Sequence, residues 1–233
     1  MRAVMFDLDG VLIDSWHVAE GAFLETSAML GFDGPSRIEA FRQRLGMPIG
    51  CIGTELDLPE GFAAAFIAAA RRLDHRAAPF DGVATLLSTL KADGWRIGVV
   101  TGKDAARAGD ILDRTGLGGY VDALVGGDTA PRGKPNPDPL WMCEAMLATD
   151  GAEGYVGDTA IDGEAARRAG RTFFHAVWGT QQLPGAGKGA GDGAPRRFGE
   201  AATQPPGSAA IVVKSADELL SLLCGPSRAE RHG

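Results

Sequence analysis

Four short clusters in this chain combine side chains that could do chemistry together. The first is Asp7-Leu8-Asp9-Gly10-Val11, which follows the apolar run RAVMF at residues 2–6. Two carboxylates at i and i+2 of a strand point the same way. Where the strand ends, the chain can turn both into one pocket. Acids so close repel, and one of them is driven toward protonation unless a cation lies between them. A divalent metal relieves the repulsion. It leaves one acid ionised as a nucleophile while the other exchanges a proton. Taken alone, the pair is also what a helix N-cap or a solvated turn looks like.

The other three clusters supply what such a pair lacks. Val99-Val100-Thr101-Gly102-Lys103 ends a second apolar run; a hydroxyl followed by a glycine offers a side-chain donor and an unhindered backbone N–H to a phosphate oxygen. Gly133-Lys134-Pro135-Asn136-Pro137 pins a lysine between residues that exclude a regular helix, so its charge is held in a loop where it can offset nearby acids. It is not a nucleotide-binding Walker loop, because Pro135 stands where Ser or Thr is required and no Gly precedes Gly133 by five. Gly157-Asp158-Thr159-Ala160-Ile161-Asp162 again gathers carboxylates after an apolar run. Asp158 is placed to ligate a hard cation, and Asp162 to orient it from the next turn. Each cluster alone also reads as a cap or an exposed loop. Chance caps would not be expected to supply all four in this order, each at or beside a strand end.

These positions require a sheet whose strands all end on one edge. Apolar runs at 2–6, 95–101, 120–126, 153–158, 171–179 and 209–213 have the length of buried parallel strands. Helical patterns at 81–93, 104–115, 138–148, 160–169 and 215–223 alternate with them, several stopping before a Gly. Alternation of this kind predicts right-handed βαβ units and one Rossmann-like parallel α/β sheet. Residues 15–79 break the pattern and read as helices only, at about 17–30, 35–45 and 59–74. The predicted organisation is an α/β core of residues 1–14 and 80–233, with a helical cap of residues 15–79 over the edge where open sheets bind ligands. Asp14-Ser15 and Pro79-Phe80 are the natural hinges. Residues 41–53 are the candidate substrate-facing surface of the cap, and Arg42 and Arg44 within it read as substrate contacts or as a solvated helix face. The Gly- and Pro-rich segment 181–208 reads as a flexible surface loop within the core, or as a binding lid.

Composition narrows the class. The 233 residues are 45% apolar with a formal net charge of -7 and a pI near 5.1. An acidic surface disfavours general nucleic-acid binding but leaves room for a small anion beside a metal and a lysine. Cys51, Cys143 and Cys224 form no CxxC pair and read as buried or incidental thiols in a reducing compartment. His17, His75, His175 and His232 form no zinc-binding cluster, and His175 reads as a packed strand residue. Trp95 and Trp141 read as packing residues. No signal-peptide core and no run of roughly 18 apolar residues is visible. A cytoplasmic protein with no membrane contact is expected, and monomer and dimer are equally compatible with the sequence.

The segments FDLDGVLIDS, VVTGK, GKPNPD and VGDTAID resemble the four signature motifs of haloacid-dehalogenase-like hydrolases with a helical cap. The resemblance spans nearly the whole chain apart from 181–208. It implies a Mg²⁺-dependent phosphatase acting on a small phosphorylated metabolite. Asp7 would be nucleophile and metal ligand. Asp9 would be the general acid/base, with its backbone carbonyl on the metal. Thr101 and the Gly102 N–H would hold the phosphate, with Lys103 and Asn136 as further substrate-binding residues. Lys134 would steady the nucleophile and the transferring phosphoryl group. Asp158 would ligate the metal and Asp162 would support it. Within the superfamily the chain is similar to phosphoglycolate-phosphatase-like proteins. More narrowly, VVTGKDAARAGDILDRTGL, AVWG and VVKSADELLSLLC resemble members associated with aminohydroxybenzoate biosynthesis. The Gly-rich segment and Phe173-Phe174-His175 depart from that pattern. A sugar phosphomutase would use the same core acids. An accessory subunit of a biosynthetic oxidoreductase or synthase, docking through 181–208 on a partner enzyme, is the reading from another class.

Overall fold

Residues Ala3–Phe6 carry no polar side chain and are completely buried, as a strand covered on both faces must be. The computed structural model describes residues 1–181 and 210–225. In chain order the strands are β1 (Ala3–Phe6), β2 (Ile13–Asp14), β3 (Ala78–Pro79), β4 (Arg96–Val100), β5 (Ala123–Val125), β6 (Tyr155–Gly157), β7 (Phe173–Ala176) and β8 (Ile211–Val213). The helices are α1 (Trp16–Leu30), α2 (Gly34–Arg42), α3 (Ile49–Glu55), α4 (Phe62–Leu73), α5 (Val83–Ala92), α6 (Ala105–Arg114), α7 (Asp138–Met146), α8 (Ala160–Ala169), α9 (Trp178–Gln181) and α10 (Ala216–Cys224).

Six strands form one parallel sheet in the order β5-β4-β1-β6-β7-β8, with β1 in the interior between β4 and β6. The strand order reverses around β1, and such a switch point opens a crevice beyond the carboxyl ends of the strands. Leu86, Leu87 and Leu90 of α5 pack with Val4, Ile97 and Val99 in one buried cluster. Leu140 and Cys143 of α7 pack with Met5, Val100 and Tyr155 in another. Fold class and the alternation of elements agree with the sequence reading, with ends differing by a few residues, as fraying ends do.

Four helices rather than three lie between β2 and β3. The additional one, α3, carries Gly50 and Gly53, whose poor helix propensity hides it from pattern reading. The second helix stops at Arg42 rather than near residue 45. Phe23, Phe41, Phe62 and Phe66 pack at its centre; Phe23 and Phe41 stack with centroids 4.3 Å apart. Phe41 is therefore a core residue of the helical layer, not part of its substrate-facing surface. The chain enters and leaves this layer through a two-stranded antiparallel ribbon that pairs Ile13 with Pro79 and Asp14 with Ala78.

Further differences from the sequence reading have local causes. Trp178 does not continue the strand after Ala176. It opens the short helix α9, with its indole N–H donating to the buried Val11 carbonyl at 2.9 Å. Trp95 is buried as expected, whereas Trp141 stands 50% exposed. Cys143 is buried and its thiol is pushed up to about 12, chiefly by burial, while Cys51 is exposed. From residue 182 on, the segment expected as a loop lies outside the described residues, as does His232. Among the described residues no helix is long and apolar enough to cross a membrane.

Candidate active site

The carboxyl ends of β1, β4 and β6 carry three of the four clusters, and the loop before α7 brings the fourth. Asp7 directly follows β1, and its backbone N–H donates to the Val156 carbonyl at 2.8 Å. The ladder to β6 thereby fixes where its carboxylate points. Two residues on, Asp9 sits at the turn with its side chain 34% exposed, against 3% for that of Asp7. Gly10 closes this turn at φ +77°, and a Cβ there would lie 2.1 Å from Asp158 Oδ2. Conformation and space both require glycine at that point.

Lys134 is the hub of the buried part. Its ammonium donates to Asp7 Oδ1 (3.0 Å), Asp162 Oδ1 (2.6 Å) and the Tyr155 hydroxyl oxygen (3.0 Å), using all three protons. Asp162 is wholly buried in the first turn of α8. Its second oxygen accepts from the backbone N–H and hydroxyl of Thr159, closing a capping box. The Tyr155 hydroxyl lies 3.0 Å from both the Val100 carbonyl and Asp162 Oδ1 and donates its proton to one of them. The four groups form a fixed unit behind the Asp7 carboxylate.

Ionisation follows from this burial. Desolvation pushes the Asp7 carboxyl up to about 7, with Lys134 pulling against it and Asp162 and Asp9 adding to it. Asp158 is held well above the usual carboxylate range by burial and then by Asp162 and Asp7. For Lys134, burial opposes the charge, but Asp162 and Asp7 outweigh it and keep the ammonium protonated. Asp9 behaves oppositely. Burial resists its ionisation, yet Lys103, the Ser15 hydroxyl and Arg107 together hold it below the usual range. Lys103 Nζ lies 3.2 Å from Asp9 Oδ2, and the Ser15 hydroxyl donates to Oδ1.

The donors fit a hard divalent cation. One oxygen from each of Asp7, Asp158 and Asp162 lies within 4.8 Å of the others. Asp158 Oδ1 is buried without a hydrogen-bond partner, a costly state for a carboxylate oxygen that a cation would relieve. Oxygen-only ligands suit Mg²⁺ rather than a thiolate-seeking metal.

Above these groups lies a cavity of about 750 Å³, lined by Asp7, Asp9, Thr101, Gly102, Lys103 and Asp158 on the sheet side. Thr101 is 3% exposed and its hydroxyl accepts from the Lys103 N–H at 3.2 Å. At Gly102 a Cβ would lie 2.6 Å from the Gly46 carbonyl, so the helical layer closes directly onto this loop. Two ion pairs cross the same seam: Arg107 holds Asp74 through two 2.7 Å bonds, and Arg71 holds Asp104 at 2.9 Å.

The sequence-derived candidates do not all reach the cavity. Lys134 and Asp162 stand behind Asp7 and touch the cavity through it. Asn136 turns its amide back onto the Gly133 carbonyl at 3.1 Å and does not line the cavity. Arg42 lines it, whereas Arg44 is tied to Glu55 at 3.0 Å. His175 is partly buried and 3.3 Å from the Asp158 carbonyl; burial lowers its pKa. Sequence reading missed Tyr155, Arg107 and Asp74, and gave Ser15 the role of a hinge rather than of a donor to Asp9. For Arg107 a signal existed, since it shares a helix face with Ile111 at i+4, and a charge on an apolar face implies a buried partner.

The family model for haloacid dehalogenase-like hydrolases matches residues 4–176. The phosphoglycolate phosphatase of Aquifex aeolicus is 32% identical over 191 residues, covering 78% of this chain and 88% of that protein. The phosphoglycolate phosphatase of Xylella fastidiosa is 35% identical over 193 residues, covering 76% and 81%. A crystal structure of a hydrolase from Pseudomonas syringae superposes with a TM-score of 0.73 at 22% identity, covering 96% of this chain and 98% of that one. The chain belongs to the haloacid dehalogenase-like hydrolase family. Within it, the chain is an enzyme of the phosphatase class.

Proposed function

We propose that this chain hydrolyses a small-molecule phosphate monoester through an aspartyl-phosphate on Asp7, assisted by Mg²⁺. The observation that carries the reading is the Asp7 carboxylate, held by Lys134 at the floor of the cavity with the accessible Asp9 two residues on. Asp7, Asp158 and the Asp9 backbone carbonyl would hold the metal, with Asp162 supporting them from behind. When bound, Mg²⁺ supplies Lewis-acid neutralisation of the phosphoryl oxygens.

In the first half-reaction an Asp7 oxygen bonds to phosphorus. The bond to the leaving oxygen breaks, and Asp9 gives that oxygen its proton. In the second, Asp9 takes a proton from water, the water oxygen bonds to phosphorus, and Asp7 is released with inorganic phosphate. Lys103 and Ser15 favour the ionised Asp9 that the second step needs. The negative charge of an arriving phosphate raises the Asp9 carboxyl toward the protonated form that the first step needs. The Thr101 hydroxyl and the Gly102 N–H would hold the phosphate, with Lys103 at its edge. Lys134 would balance charge through Asp7.

The relatives' names offer phosphoglycolate as one substrate. The likeness of 99–117, 176–179 and 212–224 to aminohydroxybenzoate-associated members supports a place in secondary-metabolite biosynthesis, and a cytoplasmic location fits that role. The test is phosphate release across a panel of phosphorylated metabolites, with Mg²⁺ and with EDTA, for wild type and Asp7→Asn. Metal-dependent release that vanishes in the variant is expected, while release surviving Asp7→Asn removes Asp7 as nucleophile. Isomerisation without release would indicate a mutase. Activity appearing only with a partner enzyme would indicate the accessory role.

A further inference from the structure

The two walls of the cavity differ in chemistry. The sheet side presents carboxylates, hydroxyls and backbone donors. The helical side is mostly apolar, with Trp16, Leu45, Met47, Pro48, Ile49 and Ile67, none of them fully buried, beside the polar Glu39, Arg42 and Gln43. Several of these rest on the phenylalanine cluster beneath, which fixes them as a wall. At about 750 Å³ the space falls in the range of about 300–1,000 Å³ that takes drug-sized ligands.

A small carboxylic acid such as glycolate would need a cation beside the phosphate site. The cationic residues lining the cavity are Arg42, Lys103 and Arg107. Lys103 is paired with Asp9, and Arg107 is held twice by Asp74. Arg42 lies over the Trp16 ring at 5.1 Å and 3.9 Å from Glu39. An apolar group, by contrast, would take a partly exposed apolar wall out of water.

We propose that the leaving group of the substrate is a sizeable, largely apolar alcohol seated against Trp16, Met47, Ile49 and Ile67. This rests on the phosphatase reading and assigns its substrate class. The phosphate occupies the sheet side, and the alcohol points into the helical layer. Discrimination comes from burial of the alcohol rather than from a salt bridge to it.

The test is kcat/KM for ethyl, butyl and hexyl phosphate, with phosphoglycolate as the rival. The alkyl series holds leaving-group acidity nearly constant, so any gain reports contact with the apolar wall. Burial predicts about fourfold per methylene at full contact, and roughly tenfold or more from ethyl to hexyl. Hexyl phosphate should exceed phosphoglycolate, and Ile49→Asp, or Ile49→Ala if the first variant melts early, should flatten the series. A flat or falling wild-type series, or phosphoglycolate ahead of hexyl phosphate, overturns the proposal. If no ester releases phosphate, the phosphatase reading fails on its own. Calorimetric binding of hexylphosphonate then decides the substrate class: tighter than ethylphosphonate supports it, and equal binding overturns it.

Discussion

The Lys134 ammonium lies 3.0 Å from Asp7 Oδ1, and both side chains are almost sealed from solvent, at 1% and 3% exposed. The same ammonium holds Asp162 Oδ1 at 2.6 Å. One cation therefore faces two buried carboxylates, and the third, Asp158, has a buried oxygen with no partner. The charge at the floor of the site is incomplete in the protein alone. A divalent cation would balance it.

Removing the hub should be severe. Lys134→Met leaves Asp7 and Asp162 buried without their cation, which costs about 3–5 kcal/mol when one partner of a buried pair is lost. Turnover should fall by roughly 100-fold or more, the scale of losing one preorganised electrostatic contact. Urea unfolding and phosphate release check the two effects. Near-wild-type turnover in a folded variant would show that Lys134 is structural only.

Tyr155 is predicted to be a positioning residue. Tyr155→Phe removes the hydroxyl that accepts from Lys134 and donates to the Val100 carbonyl or Asp162. Stability should drop by about 1 kcal/mol, and kcat should fall more than KM changes. The pH–rate profile should also move, because the ammonium that pulls the Asp7 carboxyl down against its burial loses one of its three partners. A profile identical to wild type would leave Tyr155 a packing residue.

The metal-free protein should lose stability as pH rises from about 4 to about 7. The Asp7 carboxyl is raised on folding, so the folded state holds a proton that the unfolded state has already released. Below that window both states are protonated and the penalty is absent; above it the penalty is complete. Asp158 acts in the same direction. Urea midpoints across this range, compared with Asp7→Asn, should show the slope flattened in the variant. Saturating Mg²⁺ should stabilise wild type by about 2.7 kcal/mol at 100 times its Kd, detectable by thermal melting without any turnover.

The seam between sheet and helical layer should depend on Asp74 and Arg107. Asp74→Ala leaves a buried guanidinium unpaired, at a cost of about 3–5 kcal/mol. Replacing both, as Asp74→Leu with Arg107→Met, should recover much of that loss. A double-mutant cycle by urea unfolding measures the coupling, and a value near zero would mean that the pair does not join the layers.

Much of the site was legible because its residues lie at strand ends. An apolar run followed by Asp-Leu-Asp, or by Thr-Gly, marks where a buried strand reaches solvent, and parallel strands all emerge at one edge. That placed Asp7, Thr101 and Asp158 together without coordinates. Tyr155 stayed hidden because it lies inside an apolar run, where nothing in the pattern distinguishes a tyrosine that packs from one whose hydroxyl reaches 3.0 Å from a lysine 21 residues earlier in the chain. Asn136 misled for a related reason: its loop is at the site, but its amide bonds within the loop.

What the chain determines by itself is periodic and local: six apolar strands, of which the last proves to be a half-exposed edge with Ile211 and Val212 in solvent, the alternating helices, the helical interruption after the first strand, and the polar clusters that follow β1, β4 and β6. These follow from side-chain polarity repeating with the backbone. Tertiary structure alone decided which carboxylate is sealed and which is reachable. Asp7 and Asp9 are two residues apart and chemically identical, yet burial raises one, while Lys103, Ser15 and Arg107 lower the other. The physical reason is that ionisation depends on solvent and on charges brought close through space, and Lys134, 127 positions from Asp7, becomes a neighbour only when the sheet forms.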